Sequence, residues 1–180
     1  MTENKKARVA TVWLSGCSGC HMSFLDLDER LIDLAKKITL VYSPIADVKE
    51  FPENVDVTLI EGAVANEEQL EMLKKVRAKT KILISLGDCA VDGNVTALRN
   101  SWDHSDQAVL ERAYKDPADL NAVIPNAVPK LLVTARPLHE IVKVNFYIPG
   151  CPPHADLIYY VIAELLSGRT PVMEGRSKYG

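Results

Sequence analysis

Five short stretches of this chain are apolar with little interruption: residues 8–14, Ile38–Tyr42, 56–61, 81–86 and 144–148. They are rich in Val, Ile and Leu and barely alternate, as strands do when both faces of a parallel sheet are covered. Between them the period changes. Residues 24–37 space Phe24, Leu27, Leu31 and Leu34 as the stripe of a single helix, with Asp26, Asp28 and Glu29 early and Lys36 and Lys37 late. Asn66 followed by Gln69 has the form of a capping box, Glu67 and Glu68 fill the next turn, and Leu70, Leu73 and Val76 give the stripe. A last helix is expected over 153–166, with Pro153 in its first turn and Gly168 just past its end. Strands alternating with helices predict right-handed crossovers and a three-layer, doubly wound α/β sheet.

Residues 100–141 break this rhythm. Four prolines (Pro117, Pro125, Pro129, Pro137) and the polar patch SWDHSD predict short helices and loop, an irregular insertion before the last strand of the kind that often serves as a partner surface. At 180 residues, 47% of them hydrophobic, the chain is expected to form one domain over 1–180 with its own core. A net charge of −3 gives no electrostatic reason to bind nucleic acid or an anionic membrane. The basic residues Lys74, Lys75, Arg77, Lys79 and Lys81 read as a solvated helix end. No apolar run approaches the ~20 residues of a membrane span. The N-terminal MTENKKARVA lacks a hydrophobic signal core and a twin-arginine pair, so the expected location is the cytoplasm.

There are four cysteines, Cys17, Cys20, Cys89 and Cys151. In a cytoplasmic chain they point to metal or redox chemistry rather than to a disulfide framework. Cys17 and Cys20 follow the first strand, Cys89 the fourth and Cys151 the fifth. In a flavodoxin-like strand order, 2-1-3-4-5, all four lie beyond the carboxyl ends of strands, the edge where open α/β sheets place their ligands. Gly16, Gly19, Gly87 and Gly150 accompany them, and the helix after Cys20 would bring its positive end to the same place. The third strand ends in IEGAV: Gly62 would leave room there. Glu61 is either a hydrogen-bonding or proton-handling carboxylate of the site, or a strand-end charge facing solvent or a backbone amide.

Four readings of the thiols stand. A bulky iron–sulfur cluster needs close backbone and N–H groups directed at its sulfurs, and the glycines allow both. A structural zinc site usually shows two close-spaced pairs, whereas here one CxxC accompanies two lone cysteines. A thioredoxin-like dithiol suits CSGC after a strand but leaves Cys89 and Cys151 unused. Buried, inert cysteines are the plainest reading. Their order of preference is the order given.

The ordered set SGCSGC, EG, GDCA and PGCPP resembles the small subunit of [NiFe]-hydrogenases, in its flavodoxin-like domain, from about Val9 to Gly168. The resemblance implies that Cys17, Cys20, Cys89 and Cys151 bind the proximal [4Fe-4S] cluster. It also implies a large-subunit partner carrying nickel and iron, and a diaphorase with FMN and further iron–sulfur clusters that reduces NAD. The related complex I subunit has adjacent cysteines, whereas Ser18 and Gly19 separate them here; a relay to quinone or another acceptor is the alternative. The short form, with CHMSFLDLDE and no further cysteine after Cys151, is similar to the cytoplasmic NAD-reducing, bidirectional group. With all four thiols on a cubane none is left for nickel and iron, and no GxGxxG fingerprint offers an NAD site, so this chain is expected to relay electrons. No phosphate loop beyond SGCSGC appears, so flavin is expected on a partner. His21 is read as a helix-start surface residue, with a hydrogen bond to cluster or partner as the alternative.

Overall fold

The computed structural model describes residues 6–116 and 122–179. In chain order the elements are β1 (Ala7–Trp13), α1 (Gly19–Leu25), α2 (Arg30–Lys37), β2 (Ile38–Tyr42), β3 (Val55–Glu61), β4 (Val64–Asn66), α3 (Glu67–Lys79), β5 (Thr80–Leu86), α4 (Asp88–Val91), α5 (Asn94–Ala97), α6 (Ser105–Tyr114), β6 (Leu131–Arg136), β7 (Phe146–Ile148) and α7 (Ala155–Leu166). Two 3₁₀ turns lie at Leu98–Ser101 and Leu138–Glu140.

The five expected strands form one parallel sheet in the order β2-β1-β3-β5-β7. Counted along the five alone, this is 2-1-3-4-5, the flavodoxin-like order. One face packs Val9, Leu59, Ile84 and Ile148 against Leu34 of α2 and Ile158 and Val161 of α7. The other packs Val12, Ile60 and Leu83 against Leu73 and Val76 of α3 and against Leu138. Burial on both faces is why these strands read as unbroken apolar runs.

Helix α3 starts as its sequence predicts, with Asn66 Oδ1 accepting from Gln69 N at 2.8 Å. The reciprocal half of the capping box does not form. Gln69 Oε1 instead accepts from Ala65 N and from the Ser15 hydroxyl, which ties the β1–α1 loop to α3. The basic residues at this end of α3 and at the start of β5 are largely engaged: Lys75 pairs with Glu50, Lys79 with Glu53 and Lys81 with Asp56, while Arg77 holds backbone carbonyls of Lys81 and Lys143.

Three expectations need correction. The single helix over 24–37 is two helices, because the chain turns at residues 26–29, where five i→i+3 bonds replace the helical pattern, with Asp28 at a φ of 49°. The turn drives Leu27 into the core at 1% exposure, which offsets the cost of a left-handed aspartate, a residue that tolerates the conformation better than most. Helix α7 begins at Ala155 with His154 as its N-cap, so Pro153 precedes the helix; Gly168, at a φ of 71°, does follow its end. The third correction lies in the insertion, which contains a strand. β6 pairs antiparallel with β4 to make a small second sheet. The prolines at 125, 129 and 137 bound this strand rather than interrupt it. Pro117 and residues 117–121 lie outside the described residues. No helix among the described residues is long and apolar enough to cross a membrane.

Candidate functional site

The sheet brings the four cysteines together. Cys17 lies in the loop after β1 and Cys20 in the first turn of α1; Cys89 is in α4, directly after β5, and Cys151 follows β7. All four line one cavity of about 60 Å³, together with Gly16, Gly19, Gly150, Glu61, Gly62 and Asp88. All four thiols are free; Cys17 and Cys151 are exposed, and Cys20 and Cys89 partly buried. Among the described residues, no three Cys, His, Asp or Glu side chains converge on a single-ion position. The thiols surround a space instead.

Electrostatics reflect the crowding. Burial pushes the Cys20 thiol far above its ordinary range, and Glu61, Cys89, Cys17 and Cys151 add to the shift in that order. Cys89 is raised by burial too, opposed by a hydrogen bond with Thr96. Thiolates gathered here repel one another and the nearby carboxylate, so the site favours a bound cation that neutralises them.

Gly87 has a role that its place in the motif does not reveal. It is not among the cavity-lining residues. A Cβ on it would lie 2.2 Å from Cys20 Sγ, and its φ is 82°. Glycine here makes room for a thiol of another segment. Gly62 stands at a φ of 90°, where a Cβ would meet the backbone of Leu14 and Ser15 at 2.8 Å; it lets the ends of β1 and β3 close on each other.

Glu61 both lines the cavity and answers a backbone amide. It is 2% exposed and does not face solvent. Its Oε2 accepts from the backbone N–H of His21 at 2.8 Å and lies 2.6 Å from His21 Nδ1. The surface reading of His21 is therefore corrected: the residue is 5% exposed, clamped by Glu61 and edge-on to Trp13 at 5.1 Å. Part of the N-terminal polarity of α1 is thus directed at Glu61 rather than into the thiol cavity.

Two other residues hold the loops in register. Asp88, 3% exposed, accepts from Gly150 N at 2.6 Å, and its own N–H donates to Gly150 O at 3.0 Å, which fixes the loop of Cys151 against that of Cys89. Its position between Gly87 and Cys89 was a visible signal, an acid with no evident surface role at a strand end. The Ser23 hydroxyl donates to Pro153 O and joins α1 to the segment after Cys151; nothing in the sequence marks it.

A parallel sheet of this order, with thiols from three strand ends around one cavity, defines a flavodoxin-like α/β protein with a four-thiol site at the carboxyl edge of its sheet. Comparison with known proteins makes it particular. Residues 17–165 match the family model described as NADH ubiquinone oxidoreductase, 20 Kd subunit. The delta subunit of the NAD-reducing hydrogenase HoxS of Cupriavidus necator is 43% identical over 170 residues, covering 91% of this chain and 80% of that protein. A subunit of the F420-non-reducing hydrogenase of Methanothermobacter marburgensis is 40% identical over 171 residues, covering 91% of this chain and 54% of that protein. A chain in the crystal structure of an NAD+-reducing [NiFe]-hydrogenase in the H2-reduced state superposes with a TM-score of 0.92 at 39% identity, covering 98% of this chain and all of that one. A [NiFeSe]-hydrogenase chain of Dm. baculatum, at 17% identity and a TM-score of 0.62, shares the fold. The chain belongs to the NADH ubiquinone oxidoreductase 20 kDa subunit family and, within it, to the small subunits of hydrogenases of the NAD-reducing type.

Proposed function

We propose that this chain is the electron-transfer small subunit of a cytoplasmic, NAD-reducing [NiFe]-hydrogenase, folded as a single domain, in which Cys17, Cys20, Cys89 and Cys151 hold one proximal [4Fe-4S] cluster. The observation that carries the reading is the meeting of these four thiols, from three segments far apart in sequence, around one cavity. The donor set fits the group: four soft thiolates suit an iron–sulfur cluster. They surround a space, whereas one zinc ion would draw four sulfurs to ~2.3 Å of a point. When bound, the cluster supplies one-electron oxidation and reduction between the nickel–iron site of the large subunit and the FMN and iron–sulfur centres of a diaphorase.

The chain's own residues do the positioning. Asp88 and Ser23 lock the three cysteine-bearing loops together, so the thiols need little rearrangement on binding. Gly87 frees the place that Cys20 Sγ takes. Glu61, buried beside the thiols, adds negative charge and so favours the oxidised, less negative state of whatever they hold. Hydrogen activation itself falls to the large subunit.

The test is H2-dependent NAD+ reduction by the complex of this chain with its large subunit and diaphorase. Cys89→Ser should abolish it while the large subunit keeps its nickel. Full NAD+ reduction by that variant, with iron and sulfide missing from this chain, would remove the relay.

A further inference from the structure

After Cys89 the chain turns back on itself. Gly93, at a φ of 94°, donates its N–H to Cys89 O at 3.1 Å, and a Cβ on it would meet the Ala97 Cβ at 2.8 Å. Glycine thus lets α5 fold tightly onto α4, which brings Thr96 of α5 to the thiol site. The Thr96 hydroxyl donates to Ser15 O at 3.1 Å, two residues before Cys17. That hydroxyl and the Thr96 backbone N–H are also the hydrogen-bond donors that reach Cys89. Thr96 is partly buried, carries no charge and belongs to none of the glycine–cysteine motifs.

A hydroxyl has one hydrogen, so it serves one of these two acceptors at a time. Ser15 O can release it, because the Ala63 N–H also donates to that oxygen, at 2.8 Å. A sulfur that gains negative charge takes the hydrogen, since charge-assisted hydrogen bonds are roughly twice as strong as neutral ones. We propose that Thr96 is a positioning residue of the four-thiol site: its hydroxyl turns from Ser15 O to the Cys89 sulfur as charge gathers there, and so raises the reduction potential of the bound cluster. The inference rests on the iron–sulfur reading above. The electron arrives from the nickel–iron site of the large subunit and leaves to the diaphorase, while Thr96 keeps its proton throughout. A hydrogen bond to a sulfur that carries part of the added charge stabilises the reduced state. Thr96 therefore opposes Glu61, whose carboxylate lines the same cavity and favours the oxidised state.

The experiment is a redox titration of the full chain prepared without oxygen, followed by electron paramagnetic resonance, with iron and acid-labile sulfide measured in each sample. Thr96→Val keeps the shape and the backbone N–H but removes the hydroxyl. Its potential should fall while iron and sulfide stay at the level of the unsubstituted chain. Thr96→Ser keeps the hydroxyl without the methyl and should return the potential to its original value. A role in packing alone would reverse that order, since Val keeps the methyl that Ser lacks. An unchanged or raised potential in Thr96→Val overturns the inference and leaves the relay standing. If Thr96→Val does not retain its cluster, the unsubstituted chain decides. Moved into deuterium oxide, its reduced form should lose a proton coupling at the rate of a hydroxyl, before backbone amides exchange; absence of that coupling overturns the inference. Zinc in place of iron and sulfide in the unsubstituted chain overturns the iron–sulfur reading and this inference with it.

Discussion

Two cavities meet at the His21–Glu61 pair, and they are built in opposite ways. The thiol cavity is small and walled by glycines and cysteines delivered by three strand ends. The apolar cavity, of about 340 Å³ between α1, α2 and the β1–β2 edge of the sheet, is several times larger and walled by side chains that elsewhere in the molecule would be core. The first owes its form to backbone conformations that few residues adopt; the second to a turn at residues 26–29 that splits a helix. The contrast explains how strongly each depends on single residues. A site made of special backbone fails at one substitution, whereas a site made of apolar volume tolerates most exchanges of similar size.

The most severe break should come from the thiols. Cys20→Ser should eliminate iron and labile sulfide from this chain and leave the apolar cavity intact, as measured by metal analysis beside dye binding. Next is Gly87→Ala. The methyl would overlap the space of Cys20 Sγ and sit at a φ of 82°, so a loss of about 1–2 kcal/mol from the backbone alone is expected. Chemical denaturation should show that loss, and iron content should fall with it; a Met22→Leu control on the other cavity should change neither.

Asp88 sharpens the comparison further. Asp88→Ala leaves the buried Gly150 N–H without its acceptor and should cost about 1–3 kcal/mol. Asp88→Asn keeps an acceptor oxygen and should recover most of that stability. If both variants behave alike, the bond to Gly150 is not what holds the Cys151 loop.

Glu61→Gln should act more gently. The side chain keeps an oxygen for the His21 N–H but loses its charge, so the reduction potential should rise in a redox titration while iron content holds. An unchanged potential would mean that the carboxylate only positions the loop.

The smallest effect concerns the chain freed of metal. Burial, Glu61 and the neighbouring thiols raise Cys20, so its thiolate fraction at pH 8 falls well below that of an ordinary cysteine. Alkylation should therefore reach the exposed Cys17 and Cys151 first and Cys20 last, with the gap narrowing as pH rises. Equal rates would show that the crowding is relieved in the free chain.

Legibility in the sequence follows the same division. The strands of the main sheet were readable because burial on both faces leaves unbroken apolar runs, and the gathering of thiols was readable because Cys and Gly at strand ends have few other uses. β6 was not. Three of its six residues are partly buried, two are exposed and one is buried, so it carries no clear period, and the flanking prolines suggest loop. The break between α1 and α2 was hidden because Leu27 keeps helical spacing while the backbone leaves the helix. His21 was misread since a histidine at a helix start is ordinarily wet; its burial depends on Glu61, forty residues away in sequence. The apolar cavity was invisible for the simplest reason, that Leu, Ile and Met at helical spacing read as core whether or not anything fills the space beside them.

The most direct test of the central claim is metal and sulfide analysis of the chain prepared without oxygen from iron-replete cells, with electron paramagnetic resonance of the reduced sample. The account predicts four irons and four acid-labile sulfides per chain, a cubane signal on reduction, and loss of both when any one of the four cysteines is replaced. One zinc per chain with no labile sulfide would contradict it.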